Sequence, residues 1–177
     1  TPTVQKKRSL RKLAGILVVI GISVAGYFGF SEEADPSYLP EDVVRENPIR
    51  AIHEMSGGPR IPFLPEDKDQ PQINIPRDSY NAGRVGPKAI VTKTFVIRND
   101  GDAPLTISRA FTTCGCTTAR ITARVIPPGK VVLAHVRFDV GFHDTRGQTV
   151  QRGLIIESND RENSRTEMWI HASVTSF

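Results

Sequence analysis

The two cysteines of the chain, Cys114 and Cys116, are separated by a single glycine and are the side chains best suited to redox or soft-metal chemistry. In an extended segment, side-chain alternation would send both thiols to the same side. Three kinds of chemistry fit. The pair can serve as compact buried hydrophobes at a bend. In an oxidising compartment it can close a disulfide, and a bridge across one glycine makes a small, strained ring that is easier to reduce than an ordinary structural bridge. As paired thiolates, Cys114 and Cys116 can also hold a soft metal such as Cu(I). No further cysteine exists to complete a four-ligand zinc site.

The other chemistry-bearing residues are dispersed. His53, His135, His143 and His171 fall in an arm, two different strands and a loop, and sequence alone does not bring any of them to the cysteines. Of Asp139, Asp144, Glu157 and Asp160, three sit at expected turns or strand ends, where carboxylates usually serve the backbone. The chain has neither a glycine-rich phosphate loop nor a nucleophile elbow. The expectation is therefore a protein that is not an enzyme and needs no cofactor, with Cys114 and Cys116 as its only candidate metal ligands.

The elements that must position these residues read as short strands. Segments 72–76, 89–98, 105–108, 117–125, 130–139, 148–157 and 166–175 are apolar-rich and separated by turn signals. Alternation is clearest in Val132, Ala134, Val136 and Phe138, and in Met168, Ile170, Ala172 and Val174. Asn99-Asp100-Gly101 suits a turn with positive φ, and Pro128-Gly129 suits a tight turn feeding a buried strand. Seven strands without a helical pattern predict an all-β, immunoglobulin-like antiparallel β-sandwich over residues 72–177. Arg120 and Arg124, placed on one face of a single strand, would form a short basic stripe. Together with Trp169 they are the candidate protein-interface residues.

A series of motifs in this region resembles a known bacterial family. It runs from Tyr80-Asn81-Ala82-Gly83-Arg84-Val85 through Phe95 to Ile107, which includes Asn99-Asp100-Gly101-Asp102-Ala103-Pro104. It continues with Thr113-Cys114-Gly115-Cys116-Thr117, Ile126-Pro127-Pro128-Gly129, Phe138-Asp139 and Ile156-Glu157-Ser158-Asn159-Asp160. The family is one of unknown function with an immunoglobulin-like fold, related to hydin-type and major-sperm-protein-like domains. Ala82 departs from its pattern, which usually has an aromatic residue beside the glycine. The resemblance implies a fold and an external location, and it implies no catalytic activity.

Upstream, Leu13 to Phe30 is a run of residues without charge or proline, long enough as a helix to cross a bilayer. A cleaved signal peptide with Ser23-Val24-Ala25 at its cleavage site is the rival reading, but the run continues through Phe30, past the usual length of a signal core. The expectation is a retained single-pass anchor (13–30). The basic residues Lys6, Lys7, Arg8, Arg11 and Lys12 of segment 1–12 place the N-terminus in the cytoplasm and the rest in the periplasm of a bacterial inner membrane. Gly21, Ala25 and Gly29 recur every four residues and offer a face for packing against another membrane helix.

Residues 31–71 form a proline-rich acidic arm that excludes long helices and needs a surface if it is ordered. Two short helical turns are expected in it. One begins near Pro40, and the other is capped by Asn47 with Pro48 at its first position and runs to about Met55. Net charge is +5 over residues 1–30, −6 over 31–79 and +5 over 80–177. The basic pI of about 9.3 therefore gives no indication of nucleic-acid binding.

Together these features predict a non-catalytic accessory subunit that scaffolds a multisubunit membrane complex, with a respiratory or photosynthetic host as the working expectation. Its partners would be integral membrane subunits, their periplasmic components and membrane lipid, with no small-molecule substrate. A membrane-tethered copper or thiol-redox carrier using Cys114 and Cys116 is the alternative.

Overall fold

A computed structural model of the chain describes residues 38–51, 53 and 62–177. The expected anchor with Gly21, Ala25 and Gly29, and the basic cluster Lys6, Lys7, Arg8, Arg11 and Lys12, lie outside the described residues. Among those described, no helix is long and apolar enough to cross a membrane.

Ten strands follow in order: β1 (Ile49–Ala51), β2 (Ile73–Asn74), β3 (Ser79–Val85), β4 (Ile90–Asn99), β5 (Leu105–Thr112), β6 (Thr117–Ile121), β7 (Val125–Ile126), β8 (Val131–Asp139), β9 (Thr149–Ser158) and β10 (Arg165–Val174). They form two facing sheets, which give an immunoglobulin-like sandwich. The first has the order β1-β6-β8-β4-β2, and the second β3-β10-β9-β5-β7. The expected alternation is realised: Val132, Ala134, Val136 and Phe138 of β8, and Met168, Ile170, Ala172 and Val174 of β10, are all buried in one core.

The architecture corrects the sequence reading at several points. Pairing is not wholly antiparallel, because β3 runs parallel to the last strand, β10. As an edge strand β3 is half exposed, and a bulge at Gly83 (φ 67°) breaks its alternation, so its sequence carries little strand signal. Segment 117–125 is two strands. After Ile121 the regular pairing ends, Thr122 still donates its amide to Leu133 of β8, and the chain then leaves the first sheet. Arg124 then accepts from the Ile107 amide, which starts β7 in the second sheet. The turn at Asn99 needs no positive φ. Instead, a Cβ on Gly101 would collide with the Gln70 carbonyl and the Pro71-Gln72 peptide, so glycine is required there for close approach. At Gly129 the expected left-handed conformation is present, with φ 70°.

The described part of the arm lies on its own sandwich. A single 3₁₀ turn, Pro40–Asp42, starts where helical geometry was expected. Among the described residues, the helix expected from Asn47 does not form. Asn47 takes φ 54°, and Ile49–Ala51 become β1, antiparallel to β6, with Ile49 and Ala51 buried and Arg50 exposed. The first sheet's open edge, with its unpaired backbone groups, offers more hydrogen bonds and apolar burial than a proline-flanked isolated turn could. Upstream, Tyr38 and Val43 cover Val96, Val131 and Leu133 on the outer face of the first sheet. Covering such side chains stabilises by roughly 1.5–3 kcal/mol each when complete. The Val44 amide donates to the Val131 carbonyl, and Lys130 Nζ donates to Asp42 Oδ1 at 2.7 Å. Further along, Arg161 donates to the Leu64 carbonyl at 2.7 Å and pairs with Glu66 at 3.2 Å.

Candidate functional site

Cys114 and Cys116 are joined in a disulfide with Cα atoms 5.2 Å apart. The segment is not extended. It is a turn between β5 and β6, closed by the Thr117 amide donating to the Cys114 carbonyl at 3.2 Å. This turn, rather than strand alternation, brings the sulfurs together. In the bonded form neither sulfur is a thiolate ligand for copper. Among the described residues, no group of three or more His, Cys, Asp or Glu side chains is placed to hold a metal ion.

The two ends of the bridge differ. Cys116 is buried, at 3% exposure, and Cys114 is only partly buried. Arg152 of β9 donates from Nε to Cys116 Sγ at 3.2 Å. Its guanidinium is held over the Phe138 ring at 5.6 Å, and its terminal nitrogen donates to the Gln151 carbonyl at 2.8 Å. The Thr117 hydroxyl lies 3.4 Å from Cys114 Sγ and 3.7 Å from Cys116 Sγ. Thr112 Oγ1 donates to the carbonyls of Cys114 and Thr117, and the Asp139 amide donates to the Cys116 carbonyl at 2.8 Å. The loop backbone is thus tied to β5, β6 and β8 independently of the S–S bond.

A second constellation occupies the outer face of the first sheet, beside the patch covered by Tyr38 and Val43. Arg50 of β1 faces Arg120 of β6, and Arg120 faces His135 of β8. All three are exposed. Arg137 extends the row two residues along β8 and reaches Asp139 at 3.5 Å. Arg120 therefore does belong to a basic stripe, but not with Arg124. Because the chain changes sheets after Ile121, Arg124 turns back and donates to the carbonyls of Ile107 and Ser108 at 2.9 and 3.1 Å. Its role is to staple the crossover.

The remaining candidates are placed in the framework. The Trp169 ring is half-buried and packs where a side chain on Gly153 would stand. His53 Nδ1 is 3.1 Å from the Thr112 carbonyl, which puts it on the strand leading to the cysteines. His135 Nδ1 bonds Thr94 Oγ1 at 3.0 Å, and His143 meets the Phe142 ring edge-on. The buried Asp160 carboxylate accepts from the amides of Ile73, Glu162 and Asn163. Glu157 pairs with Arg109 at 2.6 Å. Asp139 caps Gly141, and Asp144 is held by Arg146, whose hydrogen bond lowers its pKa to about 2.

With this geometry in place, comparison with known proteins gives the family. Residues 73–174, from the first residue of β2 to the last of β10, match the family described as protein of unknown function (DUF1573). The chain belongs to the DUF1573 family. A crystal structure of a protein of unknown function from Porphyromonas gingivalis W83 is similar to this DUF1573 chain, with a TM-score of 0.52 and 19% identity over 58% of this chain and 46% of that one. Domain 7 of human CEP192, an ASH/PapD-like domain, aligns at a TM-score of 0.45 and 7% identity over 68% of this chain and 99% of its own. The secreted serine protease VesC from Vibrio cholerae aligns at 0.46 and 16%, over 58% and 23%. The chain thus spans less than half the length of the Porphyromonas and VesC chains. No curated protein sequence matches it.

Sequence reasoning missed two functional candidates. Arg152 is 36 positions from Cys116, and only the placement of β9 brings them together. Arg50 sat in a segment expected to be helical. Its alternation with buried Ile49 and Ala51 was the available signal, though three residues are too few to decide a period.

Proposed function

We propose that this DUF1573 protein is a membrane-anchored, periplasm-facing, non-catalytic module that binds and braces protein components of a multisubunit membrane complex. The observation that carries the reading is the exposed cross-strand row Arg50–Arg120–His135. Arginine beside arginine across two strands costs stability, so a fold gains nothing from the arrangement by itself. An acidic protein surface would relieve the repulsion and supply the planar partners that guanidinium groups favour.

The fixed arm supports the bracing role. From Tyr38 onward the chain is bonded to the sandwich by the Asp42–Lys130 pair, by the Val44 amide and by β1. Load applied at that end is carried into the first sheet, which a loose tether would not do. In the proposed topology residues 31–37 are all that separates the anchor from this fixed body. The Gly21, Ala25 and Gly29 face of the anchor would make the contact within the membrane.

The test is extraction in mild detergent followed by stoichiometric analysis of what copurifies. The expected result is a complex with fixed partner ratios, and loss of a periplasmic partner in the Arg50→Glu, Arg120→Glu double variant. A protein that emerges alone, or a charge-reversed variant that keeps every partner, overturns the reading.

A further inference from the structure

We propose that the Cys114–Cys116 disulfide is a thiol–disulfide exchange site with a fixed polarity, in which Cys114 receives the incoming thiolate and Cys116 is the leaving group assisted by Arg152. The inference goes beyond the bracing role and does not depend on it. It rests on the asymmetry of the bridge. Attack requires access along the S–S axis, and Cys114 is the end that solvent reaches, whereas Cys116 is buried. A leaving sulfur must accept a negative charge. The Arg152 N–H already aimed at Cys116 Sγ at 3.2 Å becomes a charge-assisted hydrogen bond as that thiolate forms.

Arg152 is prepared for this. The Phe138 ring and the Gln151 carbonyl hold it, and among the described residues it makes no ion pair that would pull it away from the sulfur. The Thr117 hydroxyl, within reach of both sulfurs, can donate to whichever is anionic. A bridge serving only to staple the loop would have little to do here. The Thr112, Thr117 and Asp139 hydrogen bonds already hold the loop backbone, so the two sulfurs stay adjacent when the bond opens.

The co-reactant is a dithiol. Its thiolate forms a bond to Cys114 Sγ while the Sγ–Sγ bond breaks and its electron pair leaves on Cys116. The second thiol of the dithiol then attacks the mixed disulfide, loses its proton and releases Cys114 as a thiolate. The dithiol ends as a disulfide, oxidised by two electrons, and the two protons it gives up are available to the two cysteines. The same steps in reverse reoxidise the protein.

The test uses the whole chain in detergent micelles, with dithiothreitol as reductant and mass mapping of alkylated cysteines. The bridge is expected to open without unfolding, as followed by Trp169 fluorescence. Arg152→Gln should slow opening by about tenfold and Arg152→Lys by less, since either cation favours the thiolate. In the Cys114→Ser background, Arg152→Gln should raise the pH midpoint for alkylation of Cys116, an effect that a packing role would not produce. Glutathione should form its adduct on Cys114. Reduction only after denaturation, an adduct on Cys116, or wild-type kinetics and an unmoved midpoint in Arg152→Gln would each overturn the proposal.

Discussion

Arg50 stands directly opposite Arg120 in the antiparallel pair of β1 and β6, with both side chains on the exposed outer face of the first sheet. Like charges at opposed positions are destabilising, and an opposite pair would be favourable by about 0.2–1 kcal/mol. Arg50→Glu is therefore expected to raise the melting temperature of the isolated protein slightly at low salt, with the gain shrinking as salt is added. In the same variant, partner retention should fall. Stability and binding moving in opposite directions would mark the arginine as kept for contact, while a loss of both would mean that Arg50 supports the fold.

Asn99 is fully buried with all four hydrogen-bonding positions of its amide in use. Nδ2 donates to the carbonyls of Ala103 and Ile126, and Oδ1 accepts from the amides of Gln72 and Gly101. It thus joins the β4–β5 turn, the end of β7 and the chain entering β2. Asn99→Ala leaves those groups without partners and should cost about 2–4 kcal/mol, read as the shift in a urea unfolding midpoint. A shift no larger than that of an exposed-loop substitution would show that water replaces the side chain freely.

Gly153 has no room for a side chain. A Cβ there would lie 2.9 Å from Trp169 Cζ3 and 3.1 Å from Thr113 Cγ2. Gly153→Val should displace the indole, change Trp169 emission and destabilise by about 1–3 kcal/mol. Because the tightest contacts are with the indole and only the Thr113 methyl remains without it, the same substitution in a Trp169→Ala background should cost less, a coupling that a double-mutant cycle measures directly. Additive costs would locate the strain in the backbone instead.

How much of this was legible beforehand follows from period and distance along the chain. The alternation of Val132 to Phe138 and of Met168 to Val174 needs only local burial on one face, and it reads correctly. β3 is hidden because Gly83 interrupts its alternation and its edge position leaves both faces half wet. β1 is hidden because Asn47-Pro48 imitates a helix start, and only the open edge of β6 decides otherwise. The expected pairing of Arg120 with Arg124 does not form: the arginine beside Arg120 comes from the arm, because a change of sheet after Thr122 has no signature in residue types. Arg152 beside Cys116 is a relation between β9 and the β5–β6 turn, which pairing alone determines.

Acid should loosen the arm before it unfolds the sandwich. The hydrogen bond from Lys130 holds the Asp42 carboxyl below its ordinary value of 3.8, with coulombic attraction from the same side chain adding to it. A carboxylate depressed on folding binds protons more weakly in the folded state than in the unfolded state. Its stabilising contribution is therefore complete above the ordinary carboxylate range and is lost as pH falls through the folded value. The group is only partly buried, so the effect is local and reduced by salt. It is best read at the Val44 amide, whose bond to the Val131 carbonyl lies two residues from Asp42. Hydrogen exchange there, corrected for intrinsic rates, should lose protection as pH falls below the ordinary carboxylate value of 3.8, while the core strands β8 and β10 keep theirs. In Asp42→Asn, Val44 should be less protected at pH 6 and should lack this transition. If Val44 and β8 instead lose protection together, the arm and the sandwich open as one unit, and the Asp42–Lys130 pair is not what fastens the arm.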